Sequence, residues 1–531
     1  MSNPANPDKY PQRVNIPKPT PPTKSDQVRA IVELTLSVMQ KRLHKNGNVY
    51  LVDTETREVF FIDEETIFNK ITDVAFSSYD IVISNSAIET AKRILKAETK
   101  AIPSKISIRV GIGQHSYFLD LADGTNFIRY SSDGAEQFLL DPQSKHLIDV
   151  DFLRPPNLSS IDARIRHDSG VPGALLSNPD EKEFPYLLSK KSPHLTYILG
   201  LTNIPETYYS TVITWMVCTL FPERDQTILE ITGAEDSGKS TAAWIIKSLI
   251  DPTDKKLNEA PNSLKELLSL AQNNYIIAID NADDISDPLQ KHIYELLNNG
   301  INNQINHGNS GHKWTINLRN PVIAASTSSI LSNPLLIKKG ISLDLPTLDE
   351  KTLNENLNQL FQETRYQALL ELVNIAAGTL NKPRSPSLTI NDEIYFDNLA
   401  LTGVMVCKYF NANISSFAET LSELRSETNE NIIDESVVAR SLLLWAAENP
   451  KYKENKPLSD WQKDLFKNLP EEDRNDWPKS TRKFGAELKK VAPRLKKKGV
   501  SCKSLGKQGS NVVWEIRVTE TTQLSDDIDD V

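Results

Sequence analysis

Residues 228–241 read ILEITGAEDSGKST. An apolar, strand-like stretch leads into the pattern GxxxxGK[ST], and residues 242–250 after it have the composition of a helix. In this context the pattern binds phosphates, because the glycines let backbone N–H groups face the anion and the helix N-terminus adds partial positive charge. The stretch therefore predicts a P-loop, and a chance glycine-rich turn is the weaker alternative.

The residue types of this loop also predict its ligands. Lys239 is expected to contact the β- and γ-phosphates of ATP, and Ser240 is expected to ligate Mg²⁺. The other predicted nucleotide contacts are Gly233, Ser237, Gly238 and Thr241. The sequence thus predicts an ATPase with ATP and Mg²⁺ as its cofactors.

A second apolar stretch, residues 275–279, ends at Asp280 and Asn281. In P-loop ATPases an Asp at this place holds Mg²⁺, whereas the alternative is an ordinary buried strand that ends at an Asp turn. Many ATPases have a Glu next to this Asp, but Asn281 can only orient a water and is a poor base. Asp283 or Asp284 could substitute, although an Asp-rich turn explains both. Slow hydrolysis is one expected outcome.

A third apolar stretch, residues 321–325, is followed by Ser326 and Thr327. Related ATPases keep a polar sensor of the γ-phosphate at the end of this strand, so both hydroxyls are candidates. A hydroxyl that merely ends a core strand is an equally good explanation.

The bulk composition indicates a folded protein of roughly three domains. The chain has 531 residues, of which 39% are hydrophobic and 24% charged. Its three cysteines lie far apart, so neither a disulfide framework nor a zinc site is expected, and a reducing cytosol fits. No apolar run reaches the ~18 residues of a membrane span, and residues 1–23 have no signal-peptide core. A soluble, cytoplasmic protein without membrane contact is therefore expected.

The pattern along the chain predicts six segments and an α/β fold class. Strands that alternate with helices indicate a parallel sheet in the ATPase core. The predicted segments are a disordered leader (1–25), an N-terminal α+β domain (26–160), a P-loop ATPase core (186–350), a helical region (351–450), a basic winged-helix-like domain (455–518) and an acidic tail (519–531).

The C-terminal segment is strongly basic although the whole chain has a net charge of −10. Residues 479–517 contain twelve Lys and Arg against two Glu. A helix over residues 480–491 and a hairpin over residues 500–518 indicate a winged helix that contacts DNA phosphates, with a solvated lysine-rich surface as the alternative. The predicted DNA contacts are Lys489, Lys490, Arg494, Lys496, Lys497, Lys498, Lys503 and Lys507. The acidic tail could fold back on this patch, but plain disorder explains it more simply.

Several further motifs give the chain a family resemblance over about residues 100–518. They are residues 108–110 and 117–123, residues 151–155, Trp215 and Pro222 ahead of the P-loop, and residues 477–482 with 492–495. In this order they resemble the AAA+ ATPases of phages and integrative elements, which are related to poxvirus-type primase-helicases. The resemblance implies a ring-forming, ATP-driven DNA helicase, expected to be a hexamer, that serves replication of a mobile element together with other replication proteins.

The chain departs from the family pattern at three places. The Asn that usually ends the sensor strand is replaced by Ala325, and the Arg before that strand is replaced by Asn320. The Asp-Arg pair that carries the trans-acting arginine finger is replaced by Lys338-Lys339. Lys339 lacks the planar fork of Arg and is expected to be a weaker clamp. Arg365 is a candidate second sensor, and a surface helix position is its alternative explanation.

Three functions remain open at this point. A replicative helicase motor agrees with the overall layout. An ATP-switched DNA-binding protein or loader with weak hydrolysis agrees better with Asn281 and with the missing finger. A small-molecule kinase is the weakest, because it leaves the flanking domains and the basic C-terminus without a purpose.

Overall fold

The structure of the protein is a computed structural model. It describes residues 23–44, 49–62, 65–79, 82–97, 102–103, 106–123, 125–139, 150–155, 157–161, 183–306, 313–327, 329–331, 333–348, 356–380, 397–467, 469–495, 498–508 and 511–518. The acidic tail and all but the last three residues of the predicted leader lie outside these ranges. The predicted segment boundaries stay predictions.

The N-terminal part contains three helices and a four-stranded sheet. Its elements are α1 (Lys24–Val38), β1 (Met39–Leu43), β2 (Val49–Asp53), β3 (Val59–Phe61), α2 (Glu65–Tyr79), α3 (Asn85–Lys96) and β4 (Ile102–Pro103), with strand order β3-β2-β1-β4. Thr23 and Asp26 form a capping box that fixes the start of α1. Apolar residues near helical spacing over residues 27–45 predict a single helix, but the helix ends at Val38 and β1 pairs antiparallel with β2.

A second group of strands follows. It comprises β5 (Ile106–Ser107), β6 (Val110–Ile112), β7 (Tyr117–Asp120), β8 (Asn126–Ser131), β9 (Gly134–Leu139) and β10 (Asp151–Phe152). Strands β6 to β9 form an antiparallel meander in chain order. Between β7 and β8, the Asp123 carboxylate accepts the Thr125 and Asn126 N–H groups.

A parallel sheet lies at the centre of the fold. The elements of this part are α4 (Phe184–Lys191), α5 (Pro193–Gly200), α6 (Tyr209–Thr219), β11 (Ile228–Gly233), α7 (Lys239–Ile250), β12 (Asn258–Glu259), α8 (Leu264–Asn273), β13 (Ile277–Asp280), α9 (Asp287–Asn298), β14 (Ile301–Asn306), β15 (Lys313–Leu318), β16 (Val322–Ala325), α10 (Pro334–Ile337) and β17 (Gly340–Leu345). The strand order is β12-β13-β16-β11-β17, and every pair is parallel. The prediction of an α/β fold with a parallel sheet is confirmed.

Both faces of this sheet are covered, which explains the nearly continuous apolar character of its strands. Leu229 and Ile231 lie in the core on the side of α7. Ile228 lies in the core on the other side, with α8 and α9. The antiparallel hairpin of β14 and β15, between α9 and the central strand β16, was not predicted.

The remaining part is mostly helical. Its elements are α11 (Leu357–Leu380), α12 (Asn398–Phe410), α13 (Ile414–Glu435), α14 (Val437–Glu448), β18 (Lys453–Pro457), α15 (Leu458–Lys467), α16 (Thr481–Leu495), β19 (Val500–Gln508) and β20 (Asn511–Val518). Helix α13 contacts the edge strand β17 and also α14 and α16. The elements from α14 onward share one apolar core around Trp461, Leu488 and Trp514.

Buried charges join the meander to the parallel sheet. Arg109, directly before β6, is fully buried and its Nε lies 3.3 Å from Oδ1 of Asp251, at the end of α7. Asp251 also accepts the N–H groups of Tyr275 and Ile276, which lead into β13, and lies 3.7 Å from the ammonium of Lys247. Asp251 thus holds three separate elements together.

No helix in the described ranges has both the length and the apolar composition that crossing a membrane requires.

Candidate functional site

The strand, loop and helix predicted around Lys239 are present. Strand β11 ends at Gly233, whose φ is 145°, and Gly238 precedes α7 in the left-handed region with φ 82°. A Cβ on Gly233 would lie 2.7 Å from both the carbonyl oxygen of Leu345 and the hydroxyl of Ser237. Only glycine fits there, and the turn presents the unbonded N–H groups of the first turn of α7 at the carboxyl edge of the sheet.

The ammonium of Lys239 lies inside this loop. Its Nζ donates to the carbonyl oxygens of Gly233 at 2.8 Å and Ala234 at 2.5 Å, and lies 3.4 Å from the hydroxyl of Ser237. Phosphate oxygens are stronger acceptors for an ammonium than these carbonyls. The loop therefore fits an anionic group.

Asn203 fixes the loop from outside. Its Nδ2 donates to the carbonyl oxygen of Ser237 at 3.0 Å and to that of Pro346 at 2.5 Å. This residue lies between α5 and α6 and was not predicted, because an Asn in a turn is ordinary and nothing local indicates its distant partners. It connects the loop to the chain that leaves β17.

Ser240 and Asp280 are brought together across the sheet. The Ser240 hydroxyl donates to Oδ1 of Asp280 at 2.7 Å. Mg²⁺ prefers oxygen ligands, and one hydroxyl and one carboxylate at this separation fit a single ion that keeps several waters. The two predicted metal ligands thus form one site.

The residues after Asp280 lie in a tight turn. Asn281 is exposed and left-handed, with φ 49°, and its N–H donates to Oδ1 of Asp280. Oδ1 of Asp283 accepts both the N–H of Thr327 at 2.8 Å and its hydroxyl at 2.6 Å. Asp283 is therefore engaged with Thr327, and the side chain of Asp284 lies outside the described residues.

Ser326 lies beside the end of β11, where its N–H donates to the carbonyl oxygen of Ile231 at 3.1 Å. Its side chain is buried, and among the residues that the structure describes its hydroxyl has no hydrogen-bond partner. Its sensor function stays a prediction.

Lys339 lies at the opposite edge of the sheet from Lys239. Strand β17 runs beside β11, with Gly340 opposite Ile228 and Leu345 opposite Gly233, so Lys339 is about 20 Å along the strand from the loop. Its Nζ lies 2.9 Å from Oδ2 of Asp225, and both side chains line a cavity of about 490 Å³. Lys339 cannot reach the loop of its own chain.

The position of Arg365 agrees neither with a second sensor for the loop of its own chain nor with a surface helix position. It is buried in α11, near Arg109 and Asp251, so a surface position is wrong. Asp251 ends α7, about 18 Å along that helix from Lys239, so Arg365 does not face the loop of its own chain. Burial, followed by the positive charge of Arg109, lowers the pKa of its guanidinium to about 9.

The basic C-terminal surface is built on α16. Phe484 and Leu488 are buried, and Gly485 permits the close approach of Leu458. Among the predicted DNA contacts, Lys489, Lys498 and Lys503 are exposed. Lys496 and Lys497 lie outside the described residues, as do the side chains of Lys490, Arg494 and Lys507. Arg482 and Lys483 are also exposed on α16 and extend the basic surface.

The C-terminal part of the chain is similar to a known protein family. Residues 438–526 match the family described as "AICE RepA C-terminal domain", a replication protein of integrative conjugative elements. The match confirms, for this part of the chain, the predicted resemblance to replication proteins of mobile elements. No curated protein matches the chain.

Solved structures were also compared. One, titled "SCCmec type IV Cch - active helicase", has a TM-score of 0.41 and 12% identity, covering 90% of this chain and 93% of that one. Another is the apo structure of the NrS-1 C-terminal region, with a TM-score of 0.35 and 9% identity, covering 92% of this chain and 99% of that one.

Proposed function

We propose, from the match of residues 438–526 to a replication protein of integrative elements, that this chain is an ATP-dependent motor for replication of a mobile element. In this proposal the parallel-sheet part is an AAA+ ATPase, and the chain acts as a ring-forming DNA helicase or translocase. The observation that carries the proposal is the Ser240–Asp280 pair beside the Lys239 loop.

The nucleotide site follows from these contacts. The phosphates would be held by the N–H groups of the loop and by Lys239, while Ser240 and Asp280 would hold Mg²⁺. Bound Mg²⁺ would neutralise charge on the transferred phosphate. Asn203 would keep the loop in place while the ammonium of Lys239 exchanges its carbonyl partners for phosphate oxygens.

The DNA site follows from the C-terminal topology. The order is helix, strand, helix, helix, strand, strand, and the sheet order is β18-β20-β19, which supports the proposal of a winged helix. In this arrangement α16 would lie along a DNA groove and the β19–β20 hairpin would contact the backbone. The exposed Arg482, Lys483 and Lys489 on α16 support phosphate contacts.

Self-association is supported by the position of Lys339. Because it lies at the far edge of the sheet from its own loop, it can act on a nucleotide only in a neighbouring copy. In the proposed ring, each such edge would lie against the loop of the next copy. Other replication proteins of the element are proposed as further partners.

A second function is favoured by two observations. Asn281 is a poor base, and Lys339 is paired with Asp225. Both favour an ATP-switched DNA-binding protein or loader, which assembles on binding ATP and hydrolyses it slowly.

The test compares wild type with Lys239→Ala in ATP binding, ATP hydrolysis and unwinding of forked DNA. The motor predicts ATP-dependent unwinding by wild type, loss of it in Lys239→Ala, and no loss in the control Lys255→Ala, an exposed lysine just beyond α7. Nucleotide binding without unwinding under any loading condition would support the switch instead. A wild type that binds neither ATP nor its analogues with Mg²⁺ would rule out both.

A further inference from the structure

A carboxylate lies in the middle of the strand that leads to the Lys239 loop. Glu230 is fully buried in β11, three residues before Gly233. The strand alternates, so Leu229 and Ile231 face α7 while Glu230 faces the opposite layer with Ile228. A buried carboxylate in a central parallel strand is costly unless donors satisfy it, so its partners indicate why it is there.

The partners of Glu230 come from the chain that follows β16. Oε1 accepts the N–H of Ile330 at 2.6 Å, and the hydroxyl of Ser329 lies 3.1 and 3.0 Å from the two oxygens. The N–H of Leu331 and the hydroxyl of Ser342 are further donors. Burial raises the pKa of Glu230, and these donors oppose that rise because they favour the ionised form.

The same stretch of chain is fixed at its other end by the turn that follows Asp280. We name residues 326–327 and 329–331 the β16 loop. Thr327 donates twice to Asp283, three residues after Asp280, and Ser326 donates through its N–H to Ile231. The β16 loop therefore connects the turn after Asp280 to the strand that enters the Lys239 loop.

We propose that Glu230 is a positioning residue for ATP hydrolysis, which holds the β16 loop in the register that sets Ser326 and Thr327 beside the nucleotide site. This proposal rests on the ATPase function proposed above. Glu230 itself is buried beneath the site and acts only through the loop. Its removal should therefore impair turnover and spare nucleotide binding.

The first experiment measures kcat, KM and the number of nucleotide sites in full-length protein. Glu230→Ala leaves the donors of the loop without an acceptor, so kcat should fall about tenfold. Ser329→Ala removes only one of the hydrogen-bond donors, so kcat should fall less. KM for ATP should stay within about twofold, because an interaction lost only at turnover lowers kcat alone. Glu230→Gln keeps an oxygen for Ile330 and should restore part of the rate.

Ser342→Ala is the matched control. It removes a donor to the same carboxylate but lies on β17, so the β16 loop should stay in place and kcat should stay near that of wild type. Wild-type kcat in both Glu230→Ala and Ser329→Ala would overturn the proposal. A second combination of results would also overturn it. If kcat of Glu230→Ala falls only in proportion to its loss of nucleotide sites, the loss reflects misfolded protein. Together with full kcat in Ser329→Ala, this would leave no effect of the loop on turnover.

Hydrogen exchange separates this proposal from the function on which it rests. In the presence of a non-hydrolysable ATP analogue, peptides covering residues 326–331 should exchange faster in Glu230→Ala than in wild type, whereas peptides of α7 should not change. Equal protection of the β16 loop in both proteins would overturn the proposal. A wild type without ATPase activity would instead contradict the proposed hydrolysis, and the exchange result would still decide the positioning by Glu230.

Discussion

The hydroxyl of Ser240 and the carboxylate of Asp280 lie 2.7 Å apart although 40 residues separate them in the chain. They meet because β11 and β13 flank β16 in one parallel sheet, so that their carboxyl ends lie at the same edge. The helix α7 begins directly after the first of these strands and brings Ser240 over that edge.

Replacing Asp280 should separate binding from turnover. In Asp280→Ala, ATP hydrolysis should fall by at least about 100-fold, because stabilisation by a bound metal contributes several kcal/mol. Nucleotide affinity should lose its dependence on Mg²⁺ while the Lys239 loop still binds phosphate. Isothermal titration with and without Mg²⁺ checks this, with Asp133→Ala in the β8–β9 turn as a control. Unchanged Mg²⁺ dependence would contradict the metal site.

Lys339 should limit the rate of hydrolysis in an assembled protein. Lys339→Arg supplies a planar fork and should raise kcat by about tenfold or more, whereas Lys339→Ala should lower it. Asp225→Asn removes the paired carboxylate and should also raise kcat. Turnover per chain should increase with protein concentration. If Lys339→Ala has wild-type kcat at saturating concentration, Lys339 has no such function.

Asn203 should affect nucleotide affinity without touching nucleotide. In Asn203→Asp, a carboxylate would face the two carbonyl oxygens that the amide now donates to. The loop should lose its external support, and ATP should bind about tenfold more weakly, since leaving such groups unpaired costs about 1–3 kcal/mol. Fluorescent-analogue titration provides the measurement, and Asn273→Asp, at the end of α8, is the control.

Two buried arginines should respond oppositely to the same substitution. Arg109 bonds Asp251 and three backbone carbonyl oxygens, so Arg109→Met should lower the free energy of unfolding by about 3–5 kcal/mol. Nε and Nη2 of Arg365 have no hydrogen-bond partner among the described residues. Arg365→Met should therefore be neutral or stabilise by about 1–2 kcal/mol. Urea denaturation followed by tryptophan fluorescence compares them, and equal destabilisation would contradict the difference in bonding.

The basic face of α16 should determine DNA affinity. The double variant Lys483→Glu with Lys489→Glu should weaken binding at all sequences and reduce the slope of log K against log salt by about 1 for each DNA phosphate that the protein no longer neutralises. Lys467→Glu, on α15 of the same unit, is the matched control. Fluorescence anisotropy over a salt series is the measurement. An unchanged slope would place the DNA-binding surface elsewhere.

The sequence predicted those parts of the fold that are determined by residues close together in the chain. The strands β11, β13 and β16 are apolar because both faces of the sheet are covered, and the loop at Lys239 has a spacing that its geometry demands.

The parts that were not predicted depend on contacts between residues far apart in the chain, or have a composition that is unusual for their secondary structure. Residues 39–43 continue the apolar spacing of α1, and only pairing with β2 makes them a strand. Strand β14 reads INNQIN, and Asn is a poor strand former, so nothing in its composition predicted a hairpin. Asp225 and Glu230 were overlooked because their partners lie 114 and about 100 residues further along the chain.

Helix α13 has a mechanical consequence. It is 22 residues long, about 33 Å, and contacts both the edge strand β17 and the helices α14 and α16. A rod of this length converts a tilt of about 5° at one end into a displacement of ~3 Å at the other. If the Lys239 loop and α16 act as proposed, a small rearrangement of β17 beside that loop would reach α16 as a shift comparable to the spacing of successive bases in a duplex.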